Sequence, residues 1–278
     1  MTRPLVVNTI PGNLFVRPFG RLPVDVSDLG GAARYTPKVA YMRAGHETEL
    51  RRDILVKAVE VESDLRKRGA RIVNPVWFVA RAQRKDLYPA LIPSQTPVLL
   101  TNPTPWETRA AVAAGVLRFP FVLRRADWSG SREMYLIHDR DELAEAESKL
   151  LNHRTIAARY VDTQQGGLHT RWRFYVIGGT VDMFSRTRST KWNVGNEGGK
   201  DAPTSYREEL GRAAIAVGPA LGLEIYCVDI VLDGEAPMVV DVNPTYFMTD
   251  GPLDVPVAVN AHRLRHWERI VRYLEGLQ

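Results

Sequence analysis

The sequence predicts an α/β fold with α+β elements: a small parallel α/β lobe, then a larger α+β unit. Three observations carry this. Short apolar runs alternate with one long amphipathic segment over residues 1–102. The pair Gly178-Gly179 separates two strand-like runs, a strong hairpin signal. Late in the chain, Glu224 to Leu232 and Met238 to Asn243 read as two strands joined by a turn containing Asp233-Gly234 and Pro237.

Each element follows in order. Leu5 to Thr9 reads as a buried strand ended by Pro11-Gly12, and residues 18–37, rich in Gly and Pro, read as loop. Lys38 to Met42 is a second strand. Glu47 to Arg68 is a long helix, with Leu50, Ile54, Val61 and Leu65 on one face and Gly69 as its stop. Arg71 to Val73 is a strand, Pro75 to Arg84 a helix and Val98 to Thr101 a last strand of the lobe. Pro103-Thr104-Pro105 reads as a linker, which places the second unit at 103–278, divided into 103–160 and 161–278. There Thr104 caps a helix from Trp106 to Ala114, with Pro105 at its first position and Gly115 at its end. Strands at Phe119 to Arg124 and Met134 to Ile137 flank a loop containing Ser129-Gly130-Ser131. A helix follows with Asp139 as cap and Glu142 at the capping-box position, then a strand over Ile156 to Val161. The Gly178-Gly179 hairpin, a polar loop over 189–203, a helix over Tyr206 to Leu221 stopped by Gly222, the two late strands and a closing helix over Val257 to Leu277 complete the chain. Of the tryptophans, Trp106 is expected in the core, while Trp128 and Trp192 read as core or as substrate contacts.

Composition narrows the function. The hydrophobic fraction of 45% and charged fraction of 25% suit a globular enzyme and exclude wholesale disorder. The net charge of +5 is spread over scattered arginines, which argues against a nucleic-acid binder and fits a basic pocket for an anionic substrate. Cys227 is the sole cysteine, so no internal disulfide forms; with only a short apolar stretch before Pro11, a cytoplasmic protein without a membrane span is expected. Within Ile225-Tyr226-Cys227-Val228 it reads as a small buried hydrophobe. His262 and His266 stand four apart on the closing helix, but without a third ligand they read as surface residues.

The chemistry concentrates on the late strands. Alternation puts Tyr226, Val228, Ile230 and Leu232 on one face and Cys227 and Asp229 on the other. On the partner strand it sets Val240 and Val242 against Asp241 and Asn243. Asp229, Asp241 and Asn243 then read in two ways: as solvent-facing strand and turn residues, or as oxygen donors converging on a divalent cation. Both carboxylates interrupt apolar runs, and a buried carboxylate needs a partner or a metal; Mg²⁺ takes one or two carboxylates with nucleotide phosphates. Counting back from the Gly-Gly turn sets residue 173 against 184 and Arg171 against Arg186, with Arg171, Arg173 and Arg186 on one face and Arg188 continuing it. That face is either a splayed basic surface or an anion site. Ser129-Gly130-Ser131 reads equally as a phosphate-covering loop or an ordinary turn. Lys191 and Asn196 lie in a loop that either closes over substrate or is plain surface.

Val239-Val240-Asp241-Val242-Asn243-Pro244, preceded by Tyr226-Cys227-Val228-Asp229-Ile230, resembles the closing segment of ATP-grasp enzymes of the glutathione synthetase and RimK-like carboxylate–amine ligase kind. Arg171 to Val181 is similar to their arginine-bearing hairpin, Phe119 to Arg124 to the strand that carries a nucleotide-contacting lysine, and Ile156 to Asp162 to the hinge strand that meets adenine. The resemblance covers roughly residues 100–250 and implies an ATP-grasp fold of two subdomains. It implies Asp229, Asp241 and Asn243 as Mg²⁺ ligands, and Arg124, Ser129, Gly130, Arg159, Tyr160 and Val161 around ATP. Arg173 would stabilise an acyl phosphate, with Arg186 a second candidate. The chain departs from the pattern where Arg124 replaces the lysine, Arg159 a hinge carboxylate, Asp241 a glutamate, and Arg171 an aspartate two residues before the hairpin arginine.

The implied activity is ATP-dependent ligation of a carboxylate to an amine through an acyl phosphate, on a small-molecule or peptide substrate. No protein nucleophile is required, which agrees with the lack of a Ser/His/Asp or Cys/His arrangement. The alternatives are a small-molecule kinase on the same fold, and a nucleotide-binding or interaction protein without turnover, which the departures motivate. Homodimers are common among similar enzymes, and the sequence leaves oligomeric state open.

Overall fold

Three sheets organise the chain. The computed structural model describes residues 3–8, 25–43, 52–126, 133–193, 199–201, 204–244 and 257–278. Trp128, Ser129, Gly130, Ser131 and Asn196 lie outside these residues, as does the side chain of His262.

The first sheet is formed by β1 (Leu5–Asn8), β2 (Asp25–Asp28), β3 (Val39–Arg43) and, after helix α1 (Arg52–Lys67), β4 (Arg71–Val73). Its order is β2-β1-β3-β4 and all its pairs are parallel. Strand β2 corrects the expectation of loop over 18–37. Val26 is the one hydrophobic residue in its Asp-Val-Ser-Asp sequence, so apolar patterning does not mark it; its backbone pairs with the apolar edge of β1. Leu5, Val7, Ala40 and Met42 are buried under α1 with Leu65 and Ile72. Gly69, at φ +87°, ends α1 in the left-handed conformation expected of a glycine stop.

Helices α2 (Val76–Ala82) and α3 (Tyr88–Leu91) lead to β5 (Val98–Thr101), α4 (Pro105–Ala113), β6 (Phe121–Arg125), β7 (Met134–Ile137), α5 (Arg140–Leu150) and β8 (Thr155–Arg159). Their strands form an antiparallel sheet of order β5-β8-β6-β7. Val98 to Thr101 thus joins this sheet through β8, not the parallel lobe. The expected cap is present: the Thr104 hydroxyl accepts from the Glu107 amide at 3.2 Å, and the Glu107 carboxylate accepts from the Thr104 amide at 2.7 Å. Trp106 in α4 is 77% exposed, against expectation, because α4 turns Thr108 rather than its first turn into the core. Asp139 accepts from the Asp141 and Glu142 amides, whereas the Glu142 carboxylate reaches back to the His138 amide, one residue before the capping-box position.

The third sheet holds the late strands. It comprises β9 (Gln164–Gln165), β10 (Leu168–Ile177), β11 (Thr180–Ser189), β12 (Gly199–Asp201) and, beyond helix α6 (Glu208–Leu221), β13 (Ile225–Asp233) and β14 (Ala236–Asn243); α7 (Val257–Gly276) closes the chain. Its order is β12-β11-β10-β13-β14, with β9 beside β10. Gly178 and Gly179, at φ +55° and +77°, make the expected two-residue turn. One face, with Phe174, Val176, Tyr226, Val228 and Ile230, packs against α6 through Leu210, Ala214 and Val217. Burying a side chain such as Ile230, with no exposed surface, stabilises the fold by about 1.5–3 kcal/mol. The other face begins with Tyr175, Ile177, Ile225 and Cys227, which pack on α7 and on Val6, Val39 and Val73 of the first sheet.

Candidate functional site

Beyond Tyr175 and Cys227, that second face turns polar. Arg173 on β10 pairs with Asp229 on β13, and Asp229 pairs with Asp241 on β14; Cys227 pairs with Asn243. Asp229, Asp241 and Asn243 therefore stand on one face, as alternation required. A bulge opens between the pairs Asp229–Asp241 and Ile230–Val239, leaving Val240 as the extra residue. In consequence Val239 rather than Val240 joins Val242 in the core.

Two carboxylates directly opposite each other repel, and the structure surrounds them with cations. Asp229 is 1% exposed. It accepts from Arg173 Nε at 2.6 Å and Nη2 at 2.9 Å, a bidentate pair, and Arg171 Nη1 lies 3.1 Å from its Oδ2. The charge of Asp229 lifts the Arg173 guanidinium well above its ordinary range, burial acting against it. Asp241 meets Lys85, whose Nζ lies 2.7 Å from Oδ1, and its Oδ2 accepts from Asn243 Nδ2 at 3.1 Å. Burial lowers the Arg124 pKa from its ordinary value, while the nearby Asp241 and Tyr88 raise it; as an arginine it stays charged.

Neighbouring elements fix this geometry. Lys85 is 2% exposed, and its amide donates to the carbonyl of Ala126 at 3.1 Å, tying the segment before α3 to the end of β6, which carries Arg124. Asn74 adopts φ +52°. Its side-chain oxygen accepts from the Glu224 and Ile225 amides at 2.8 and 3.1 Å, while Nδ2 donates to the carbonyls of Ile225 at 2.5 Å and Pro244 at 3.4 Å. It thereby fastens the start of β13 to the end of β14. Cys227 is buried, and burial pushes its thiol up to about 12, with Arg173 acting the other way, so it is no nucleophile.

The hairpin places Arg186 elsewhere. A bulge between Tyr175 and Val176 leaves Asp182 as the extra residue, so Arg173 faces Ser185 and Arg186 faces Trp172. One residue of shift moves a side chain to the opposite face. Arg186 therefore lies over the Trp172 ring, at 5.4 Å, in a separate cleft of about 390 Å³ with Thr170, Arg188 and Arg207. The expectation of Arg171, Arg173 and Arg186 on one face is corrected to Arg171 and Arg173 alone. The unpaired Asp182 binds His266 and Arg269 of α7, and His266, expected at the surface, is fully buried.

On the hinge, Arg159 forms an ion pair with Asp233, Val161 is buried, and the Tyr160 ring stands edge-on to Trp192 at 6.3 Å. Lys85 is the site residue the sequence did not reveal: it lies in a single 3-10 turn, too short for any periodicity. Among the described residues no cluster of three or more His, Cys, Asp or Glu side chains is arranged to hold a metal, and no helix is long and apolar enough to cross a membrane.

Comparison with known proteins agrees with this fold. No curated protein matches the sequence. In structure the chain is similar to a RimK domain ATP-grasp protein from Sphaerobacter thermophilus DSM 20745, at 18% identity and TM-score 0.64, covering 98% of this chain and 100% of that one. It is also similar to the ATP-grasp ligase PsnB complexed with a phosphomimetic variant of its minimal precursor, Mg and ADP, at 15% identity and TM-score 0.68, covering 100% and 99%. A D-alanine–D-alanine ligase from Bacillus anthracis matches at 14% identity and TM-score 0.66, covering 100% and 97%. Residues 83–260, more than half of the chain, match the RimK-like ATP-grasp domain, and the protein therefore belongs to the RimK-like ATP-grasp family.

Proposed function

We propose that this protein is an ADP-forming, Mg-ATP-dependent ligase that joins a carboxylate to an amine on a small-molecule or peptide substrate. The observation that carries the reading is the row Arg173–Asp229–Asp241 across three strands, flanked by Lys85, Arg124 and Asn243. This is a partly buried, cation-rich face with oxygen donors at its edge, suited to a polyphosphate. Asp241 and Asn243 supply hard oxygen ligands and fit one Mg²⁺, which takes few protein ligands when phosphates complete its shell. Bound there, the ion would neutralise phosphate charge. Asp229 is a further candidate ligand; both carboxylates are ion-paired here, Asp229 with Arg173 and Arg171 and Asp241 with Lys85, so a bound Mg²⁺ would share them with these cations.

In the reaction, the γ-phosphoryl group passes from ATP to the substrate carboxylate, giving ADP and an acyl phosphate. The amine then attacks the acyl carbon, an amide bond forms and phosphate leaves. Lys85, Arg124 and Arg173 orient the phosphates, and Arg173 stabilises charge on the transferring group. Tyr160 and Val161 meet the base on the hinge. Cytoplasmic location and a homodimer remain part of this proposal. Similarity to PsnB, solved with a precursor peptide and AMPPNP, supports a peptide substrate.

A second reading, nucleotide binding without turnover, is favoured by the occupation of Asp229 by two arginines. Calorimetric titration of ATP with and without Mg²⁺, repeated on Asp241→Ala, tests the common core: Mg²⁺-dependent binding that the substitution abolishes is expected. Absence of binding by the wild type under every Mg²⁺ condition would sink both readings. A screen of carboxylates and amines for ADP with free phosphate then separates them, and ADP without free phosphate would indicate a kinase.

A further inference from the structure

Arg43 closes β3 and is 4% exposed. Strand alternation puts it on one face with Val39 and Tyr41, the face that packs on Ile177, Ile225 and Cys227 of the third sheet and on Trp267 of α7. A guanidinium in that setting needs compensation, because a buried cation is costly without counter-charge and hydrogen bonds. Trp267 supplies part of it: the Arg43 Cζ lies 5.3 Å from the centre of its ring. Nη2 supplies the opening. This atom is buried and has no hydrogen-bond acceptor among the described residues, and a buried donor left that way is destabilising until a ligand or water meets it. Position narrows the ligand. Arg43 stands at the carboxyl end of a parallel sheet, where open α/β sheets receive their ligands. On the neighbouring strand β4 the next residue is Asn74, whose Nδ2 donates to the carbonyl of Pro244 at 3.4 Å. Paired strands lie about 4.8 Å apart. Arg43 is thus one strand from the point where the first sheet touches the end of β14, just past Asp241 and Asn243.

We propose that Arg43 is a substrate-binding residue whose Nη2 donates to a carboxylate of the substrate at the carboxyl end of the first sheet. The inference rests on the ligase reading above and assigns part of its substrate site to the first lobe. A carboxylate fits better than a nucleotide phosphate. The cations assigned to the phosphates, Lys85, Arg124 and Arg173, come from the turn before α3 and from the second and third sheets, whereas Arg43 is supplied by the first. Its planar fork matches the two oxygens of a carboxylate, which a lysine at this position would not.

The test titrates acetate, as the carboxylate probe, into the isotope-labelled full chain and follows the arginine side-chain N–H signals by nuclear magnetic resonance. Arg43→Lys identifies the Arg43 signal by deleting it. A saturable shift of that signal with acetate is expected, with none from chloride at equal ionic strength, and it should persist when Mg-ADP is bound. No saturable shift with acetate would overturn the proposal, since Nη2 would then be met by water alone. The same shift produced by Mg-ADP without acetate would also overturn it, because Arg43 would then serve the phosphates. Both outcomes are read on the wild type, whether or not the variant folds. Arg124 and Arg173 signals that Mg-ADP leaves unmoved would instead bring down the ligase reading, a result read on different residues from the acetate shift.

Discussion

The two hairpins of the third sheet are built alike and used differently. Each has one bulge between its turn and the polar row, but the extra residue differs. In β13–β14 it is Val240, an apolar residue beside the acidic pair, and Asp229 and Asp241 remain opposite each other beyond it. In β10–β11 it is Asp182, which leaves the ladder to bind His266 and Arg269 of α7. The first bulge adjusts which valine fills the core. The second anchors a helix and also sends Arg186 to the far side of the sheet. A single inserted residue thus serves packing in one hairpin, and in the other both docking and the choice of which arginines meet the carboxylates.

The comparison breaks most readily at Asp229. Asp229→Ala leaves the Arg171 and Arg173 guanidinium groups facing each other without their carboxylate in a buried setting. Removing one partner of a buried pair costs about 3–5 kcal/mol, so urea unfolding should show a loss of that order. A loss below about 1 kcal/mol, the level of a surface pair, would mean that water reaches the cluster and that the row is not the closed unit described. No comparable loss is expected from a substitution at Val240, since the bulge residue lies outside the core cluster.

The Asp182 bulge is sharpened by pH. Burial alone would raise the Asp182 carboxyl, but hydrogen bonds from His266 and Arg269 outweigh it, and its pKa is lowered from the ordinary value. A carboxyl held low in the folded state stabilises the fold fully above its unfolded pKa, about 3.9, and that contribution is lost as pH falls through the folded value. Asp182→Asn should therefore cost about 1–3 kcal/mol at neutral pH. The gap to wild type should close as pH falls below about 4. A gap that widened in acid would show that the carboxylate is not what holds α7 to the bulge.

These effects also explain which parts could be read in advance. Thr104 with Pro105, Gly178-Gly179 and Gly222 are local signals whose physics is complete within a few residues, and each appears where expected. Asp229, Asp241 and Asn243 were legible because alternation along one strand does not depend on the turn: Asp241 and Asn243 both lie beyond the bulge. Arg186 was not, because its face was counted across a turn and a bulge leaves no mark in apolar patterning. Lys85 and His266 look like ordinary polar residues in sequence; only the tertiary partners Asp241 and Asp182 make their burial tolerable.

The smallest effect concerns Arg186. It stacks over Trp172 at 5.4 Å on the face away from Asp229, and a cation over an aromatic ring at a partly exposed position contributes about 0.5–1 kcal/mol. Arg186→Ala should therefore lower stability by no more than that and leave nucleotide affinity within about twofold, since its side chain is on the opposite face of the sheet from Asp229. Arg173→Ala should weaken nucleotide binding sharply in the same calorimetric titration, because it removes a cation from the phosphate face and leaves the buried Asp229 charge with Arg171 alone. Equal losses from the two substitutions would mean that both arginines reach the nucleotide, and hence that the bulge at Asp182 is not kept in the liganded protein. A loss confined to Arg173 would establish that one inserted residue decides which side of the sheet carries the chemistry.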